Sequence, residues 1–187
     1  MGRSRAIGVL IAGVLGLAAA AALTVEKIEI LIDPRYIPSC NLNPVLSCGS
    51  VMTTPQASVF GFPNSLLGII AFTVVLVTGV LAAARVHLPR WYWAGLAIGT
   101  ALGVVFVHWL IFQSLYRIGA LCPYCMVVWA VTIPLLVIVT SIALRADTGN
   151  GPGRAVYEWR WSLVALWFTA VLLMILVRFW NYWSTLV

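Results

Sequence analysis

The sequence predicts an all-α integral membrane protein with five transmembrane helices and a short helix in the loop that follows the first. Three observations carry this. Of the 187 residues, 63% are hydrophobic and 9% charged, where a soluble domain carries about a quarter charged residues. Five apolar runs each reach the ~20 residues that cross a bilayer, and no charge interrupts them except Arg178 near the end of the last. In hydrocarbon the backbone must satisfy its own hydrogen bonds, so unbroken runs of this kind are helices.

The first run, 6–25, follows the basic start "MGRSR" and contains the small residues "LAAAAAL". That pattern overlaps with a secretory signal, but the run is long for a signal core, and a retained helix is expected. A loop over 26–64 comes next. Within it "TTPQASVFG" reads as a short helix, with Thr54 as N-cap, Pro55 in the first turn and Gly61 closing it. Val59, Phe60 and Phe62 give this segment an apolar side that could lie on the bilayer and lid the bundle. The second and third runs, 65–84 and 91–113, are joined by a short connection, and a turn at 115–121 leads to the fourth, 122–144. The connection 145–160, "RADTGNGPGRAVYEWR", is a polar linker rich in Gly, Pro and Arg. The fifth run is 161–180. Trp91, Trp93, Trp159, Trp161, Trp180 and Trp183 flank the runs as interfacial anchors. The whole chain, 1–187, reads as one membrane domain.

The net charge of +6 does not point to nucleic acid, because the basic residues sit at the ends of apolar runs, where headgroups and topology account for them. With the N-terminus inside, Arg3, Arg5, Arg85, Arg90, Arg145, Arg154 and Arg160 are cytoplasmic, and Lys27, Arg35, Arg117 and Arg178 lie outside. This excess favours a cytoplasmic N-terminus and an outer C-terminus. The loop 26–64 and the turn 115–121 then share the outer side, and so do all four cysteines. Disulfides form and persist on that side.

Cys122 and Cys125 stand in "LCPYC" at the start of the fourth run. Unpaired N–H groups at a helix N-terminus favour a thiolate, and Pro123 suits the first helical position. Three residues apart, the two sulfurs share a helix face, with Cys125 ~4.5 Å deeper along the axis. Cys122 is expected to face water and Cys125 the interior of the bundle. The second pair, Cys40 and Cys48, brackets "NLNPVLS" in the outer loop and can close a small loop. Neither spacing is a zinc pattern on its own, and no metal site is expected. A loop pair and a helix pair on one side suit a thiol–disulfide relay. The alternative is a non-catalytic scaffold or transporter subunit with two structural disulfides, although a transporter tends to place polar residues at mid-helix, where these runs have few.

Three stretches, "CNLNPVLSC", "FPNSLLG" at the start of the second helix and "LCPYC", together with the helix order, resemble the bacterial homologues of vitamin K epoxide reductase. These are DsbB-like, quinone-dependent, disulfide-forming enzymes. The resemblance covers roughly residues 6–144. It implies a four-helix transmembrane bundle around a quinone with a fifth helix added, in a bacterial plasma membrane. The CxxC on the fourth helix, not the second, separates it from DsbB itself. It implies that Cys40 exchanges with an extracytoplasmic DsbA-like or thioredoxin-like partner, a separate protein here. It implies further that Cys48 attacks Cys122 and that Cys125 then reacts with the quinone. DsbA is a strong oxidant at about −120 mV, so its reoxidation needs an acceptor such as a respiratory quinone. Menaquinone or another naphthoquinone fits the family, with ubiquinone as the alternative.

Asn64 matches the family asparagine that binds a quinone carbonyl; from the residues alone it reads as a helix N-cap. Trp129 stands where animal members have a tyrosine. An indole N–H donates but cannot accept, which leaves that quinone contact and the response to coumarin-type inhibitors open. Phe60, Phe62, Leu66, Leu67 and Met126 are candidates for the pocket wall. His108 and Gln113, near the outer end of the third helix, could contact the quinone or move protons, or could join helices by a hydrogen bond. Arg117 could stabilise a thiolate or anchor to headgroups.

Overall fold

The computed structural model describes residues 2–144, 154 and 157–185. Among the described residues five helices are long and apolar enough to cross a membrane: α1 (Arg3–Ile32), α3 (Asn64–Ala83), α4 (Arg90–Phe112), α5 (Pro123–Ala143) and α6 (Arg160–Arg178). Between α1 and α3 lie α2 (Cys48–Met52) and a 3₁₀ turn, Pro55–Ser58; a short α7 (Trp180–Trp183) follows α6. The linker expected at 145–160 lies mostly outside the described residues.

The helices begin and end close to the apolar runs, with two differences. α1 continues to Ile32, so the first residues assigned to the loop are helical. Glu26, Lys27 and Glu29 mark the end of the apolar run without ending the helix, because this extension holds the loop. Lys27 Nζ donates to the Met52 carbonyl at 2.7 Å, and Glu26 is buried beneath Tyr36 and Ser39. The turn expected at 115–121 is in part a π-helical extension of α4, Gln113–Ile118. It closes with Gly119 at φ 72°, a left-handed conformation that glycine adopts without strain, and the Gly119 N–H reaches the Ser114 carbonyl at 3.0 Å. Arg178, from the end of α6, donates to the Leu115 carbonyl at 2.8 Å.

α1 packs along α3 and also on α5, while α4 packs on α5. The α1–α3 contact is close because glycines face backbone. A Cβ at Gly13 would lie 2.6 Å from Leu76 Cα, and one at Gly79 2.5 Å from Leu10 Cα. Small residues of this kind let membrane helices approach where no hydrophobic drive exists. α3 and α4 are consecutive but lean on different partners, α1 and α5, and make little contact with each other. Near their connection Thr78 Oγ1 and Tyr92 OH meet at 2.6 Å. Toward the opposite end the two helices leave a gap. Ile70, Val77, Ile98, Leu102 and Val105 face outward, as lipid-facing side chains do.

Candidate functional site

"CNLNPVLSC" folds through its asparagines. Asn43 Oδ1 accepts the N–H groups of Val45 and Leu46 at 2.9 and 2.7 Å, an Asx turn that reverses the chain. Asn41 Oδ1 accepts the Gly49 N–H at 2.9 Å and the Ser47 hydroxyl at 3.2 Å. Ser47 caps α2, accepting the Ser50 N–H, so Cys48 opens that helix. Cys40 and Cys48 form a disulfide.

One contact joins this loop to the helix pair. Leu46 and Leu121 form an isolated parallel β-bridge: the Leu121 N–H donates to the Val45 carbonyl and the Ser47 N–H to the Leu121 carbonyl, both at 2.8 Å. Ser47 leads directly into Cys48 and Leu121 into Cys122, so the bridge brings the two sulfurs together. Cys122 Sγ lies 3.1 Å from Cys48 Sγ. Cys48, Cys122 and Leu121 are fully buried. The expectation that Cys122 faces water is therefore corrected: the loop covers it, and it faces Cys48.

Cys122 is the N-cap of α5, with Pro123 at the first helical position. The Cys122 thiol is held below its ordinary pKa chiefly by the hydrogen bond with the Cys125 side chain. Burial opposes this, and the backbone N–H groups of Cys125 and Tyr124 reinforce it. Such donors are what a helix start supplies. Cys122 and Cys125 are free thiols here.

Cys125 lines a cavity of about 530 Å³ in the gap between α3 and α4, within the ~300–1,000 Å³ of small-molecule sites. Its walls include Leu23, Leu67, Phe72, Phe106, Leu110 and Val128. A smaller space of about 70 Å³ adjoins it under the loop, lined by Lys27, Gln56, Gln113 and Ser114 among others. Leu23, Asn64, Ser65, Leu110, Cys125 and Trp129 border both. A cleft of about 1,300 Å³ at the opposite end of the bundle is lined by Arg3, Arg85, His87 and Arg90 and touches no sulfur, so size alone does not pick out the chemistry.

The expected wall residues divide. Asn64, Leu67 and Trp129 border the cavity, and Gln113 borders the smaller space. Asn64 is the first residue of α3, after its N-cap Pro63, and makes no capping bond. Its amide reaches back to the lid instead, donating to the Gln56 carbonyl at 2.8 Å and accepting the Val59 N–H at 3.2 Å. The second amide N–H has no acceptor among the described residues. Trp129 is 3% exposed, and its indole N–H has no acceptor among the described residues, a costly state for a buried donor.

Phe60, Phe62, Leu66, Met126 and His108 do not border either space. Phe62 stacks on Phe60 in the lid at 6.2 Å, and Phe60 rests on Phe106 at 6.0 Å. Met126 lies one position past Cys125, about 100° round the helix, and packs against the core cluster that includes Val45, Leu115 and Leu121. His108 faces α6: its Nε2 accepts the Trp167 indole N–H at 2.9 Å and its Nδ1 meets the Val104 carbonyl at 2.8 Å. This is the helix–helix hydrogen bond, on the far side of α4 from Phe106. Arg117 is exposed in the π-helical turn. Sequence reasoning missed Leu46, Leu121, Phe106, Leu110, Ser65 and Arg178. For the bridge residues no local signal exists, and the others follow only from how each helix is rotated.

A search among proteins of curated function returns no match. A model of the vitamin K epoxide reductase family matches residues 7–140. This stretch runs from the first turns of α1 to the last turn of α5 and takes in both cysteine pairs and the cavity. The chain belongs to the vitamin K epoxide reductase family, a family of multi-pass membrane thiol–disulfide oxidoreductases.

Proposed function

We propose that this protein oxidises a thioredoxin-fold or DsbA-like dithiol protein outside the cytoplasm and delivers the electrons to a quinone. The observation that carries this reading is the row of sulfurs: the Cys40–Cys48 disulfide, Cys122 Sγ at 3.1 Å from Cys48 Sγ, and Cys125 on the wall of an apolar cavity.

In this reading a partner thiolate attacks Cys40 Sγ and breaks the Cys40–Cys48 bond. The partner's second thiol then displaces Cys40, and the partner leaves oxidised. The Cys48 thiolate attacks Cys122 Sγ of an oxidised Cys122–Cys125 pair, with Cys125 as leaving group. Cys40 attacks Cys48, which restores the outer disulfide and leaves Cys122 and Cys125 as thiols. The sulfurs described above match that last stage. Cys122 and Cys125 would then return to a disulfide, and a bound quinone would supply the acceptor for the two electrons and two protons they lose. The protein's own groups would hold it: the free amide N–H of Asn64 and the unpaired indole N–H of Trp129 suit carbonyl acceptors. The cavity walls are largely apolar, which suits a quinone ring. The family favours a naphthoquinone such as menaquinone.

The sulfur-bearing end faces the extracytoplasmic side in this reading, with the N-terminus cytoplasmic. Support comes from the Lys/Arg bias along the chain and from the compartment in which disulfides persist. The purified protein, given a reduced thioredoxin-fold partner and menaquinone, is expected to yield quinol and oxidised partner. Replacing any of the four cysteines with alanine should stop turnover. Full turnover in Cys40→Ala would contradict the relay.

A further inference from the structure

The relay leaves one buried charge unexplained. Glu26, on the extension of α1, is 7% exposed, and no cation pairs with it among the described residues; its neighbour Lys27 is spent on the Met52 carbonyl. A carboxylate buried without a counter-ion is stable only where several donors converge on it. Here they do. Oε1 accepts the Ser39 hydroxyl, and Oε2 accepts the Ser39 backbone N–H at 3.3 Å and the Tyr36 hydroxyl at 3.0 Å. All three donors belong to the strap between the end of α1 and Cys40, and Ser39 is the residue before Cys40.

Apart from the Glu26 bonds, the strap is held at Pro38, which is buried and whose carbonyl accepts the Asn41 N–H at 3.0 Å. Tyr36 N–H closes a turn on the Asp33 carbonyl, and Ile37 projects outward at 75% exposure. Beyond Cys40 the chain is fixed separately, by Asn41 on Gly49 and Ser47 and by the Leu46–Leu121 bridge. Cys40 thus sits between the Glu26 bonds on one side and the Asn41 bonds on the other, and is itself 5% exposed. In this arrangement the outer disulfide is open to Cys122 but closed to a protein in the aqueous phase. An attacking thiolate has to reach Cys40 Sγ, and the part of the chain that can lift away without disturbing Cys48 is the strap held by Glu26.

We propose that Glu26 is a positioning residue for Cys40: its carboxylate clasps the strap over the outer disulfide, and release of that clasp opens Cys40 to the external dithiol while Cys48 stays against Cys122. The inference deepens the relay reading and rests on it for its purpose, but its test needs neither partner nor quinone.

The full-length protein with Cys122 and Cys125 both replaced by alanine keeps only the outer disulfide, and its reduction by dithiothreitol can be followed directly. Glu26→Gln and Glu26→Ala should speed this reduction at least tenfold. Ser39→Ala and Tyr36→Phe each remove one donor and should give smaller rises in the same direction, while Lys27→Met should give none. A second readout separates a clasp from general loosening. With Cys40 and Cys125 replaced instead, the yield of a Cys48–Cys122 cross-link on mild oxidation should match in Glu26 and Glu26→Gln proteins, because the bridge holds Cys48 in place. Unchanged dithiothreitol rates in Glu26→Gln, Ser39→Ala and Tyr36→Phe would overturn the proposal, as would a rise accompanied by loss of the cross-link. If quinol formation failed while these rates responded, the relay would fall and the clasp would stand.

Discussion

Cys122 occupies the one position of α5 where a sulfur meets unpaired backbone donors. A side-chain hydrogen bond with Cys125 is the main influence that lowers its pKa, ahead of the opposing effect of burial. The sign is direct: a lowered pKa leaves more thiolate at a given pH below the ordinary value of about 8.5. Alkylation of Cys122 by a small reagent should therefore persist to lower pH than alkylation of a free cysteine. In Cys125→Ala the midpoint should move up. A midpoint that stays put in that variant would show that Cys125 does not tune its neighbour. Asn64 and Trp129 make a contrasting pair at the same scale. Asn64 has part of its amide committed to the lid, whereas the Trp129 N–H has no acceptor among the described residues. The family resemblance makes both positions candidates, but the spare hydrogen-bonding capacity of each emerges only once the neighbours are placed.

The helices differ in what their sequences reveal. Their existence is legible, because each apolar run continues for the span of a bilayer, and the start of α5 is legible from Pro123. The rotation of each helix is not. α3, α4 and α5 are apolar around their whole circumference, so no stripe says which side faces a neighbour. Leu67 borders the cavity, while Met126 and His108 turn to other neighbours. The extension of α1 is hidden for a different reason: Glu26, Lys27 and Glu29 look like a loop in a hydropathy reading, yet Glu26 and Lys27 serve tertiary hydrogen bonds. Glycines show the same division. Gly13 faces Leu76 backbone, whereas a Cβ added at Gly95 on α4 would meet nothing within 4 Å. Gly13→Leu should force α1 from α3 and destabilise the protein by the upper end of about 1–3 kcal/mol. Gly95→Ala should be neutral or stabilising by up to about 1 kcal/mol, from helix propensity. Thermal unfolding in detergent distinguishes the two; equal effects would mean that the α1–α3 contact is not the tight one.

At the scale of the whole molecule, the cavity exists because two consecutive helices lean on different partners, and the sulfurs meet because a distant loop pairs with the turn before α5. The first feature depends on the sum of helix contacts. The second depends on two hydrogen bonds between residues far apart in sequence, Val45–Leu121 and Ser47–Leu121. Neither is written in any local pattern, which explains why the proposed relay can be suggested from the cysteine spacing but its shape cannot. α6 completes that junction. Val171, Ile175 and Phe179 pack in the same core as Val45, Leu115 and Leu121, and Arg178 holds the Leu115 carbonyl. The relay stands or falls on Cys48 and Cys122 being direct exchange partners. Replacing Cys40 and Cys125 with alanine leaves only those two thiols. On mild oxidation in the membrane, peptide mass spectrometry should find a Cys48–Cys122 disulfide in most molecules. If both cysteines instead remained free and were alkylated independently, the path between the outer pair and the cavity would be contradicted.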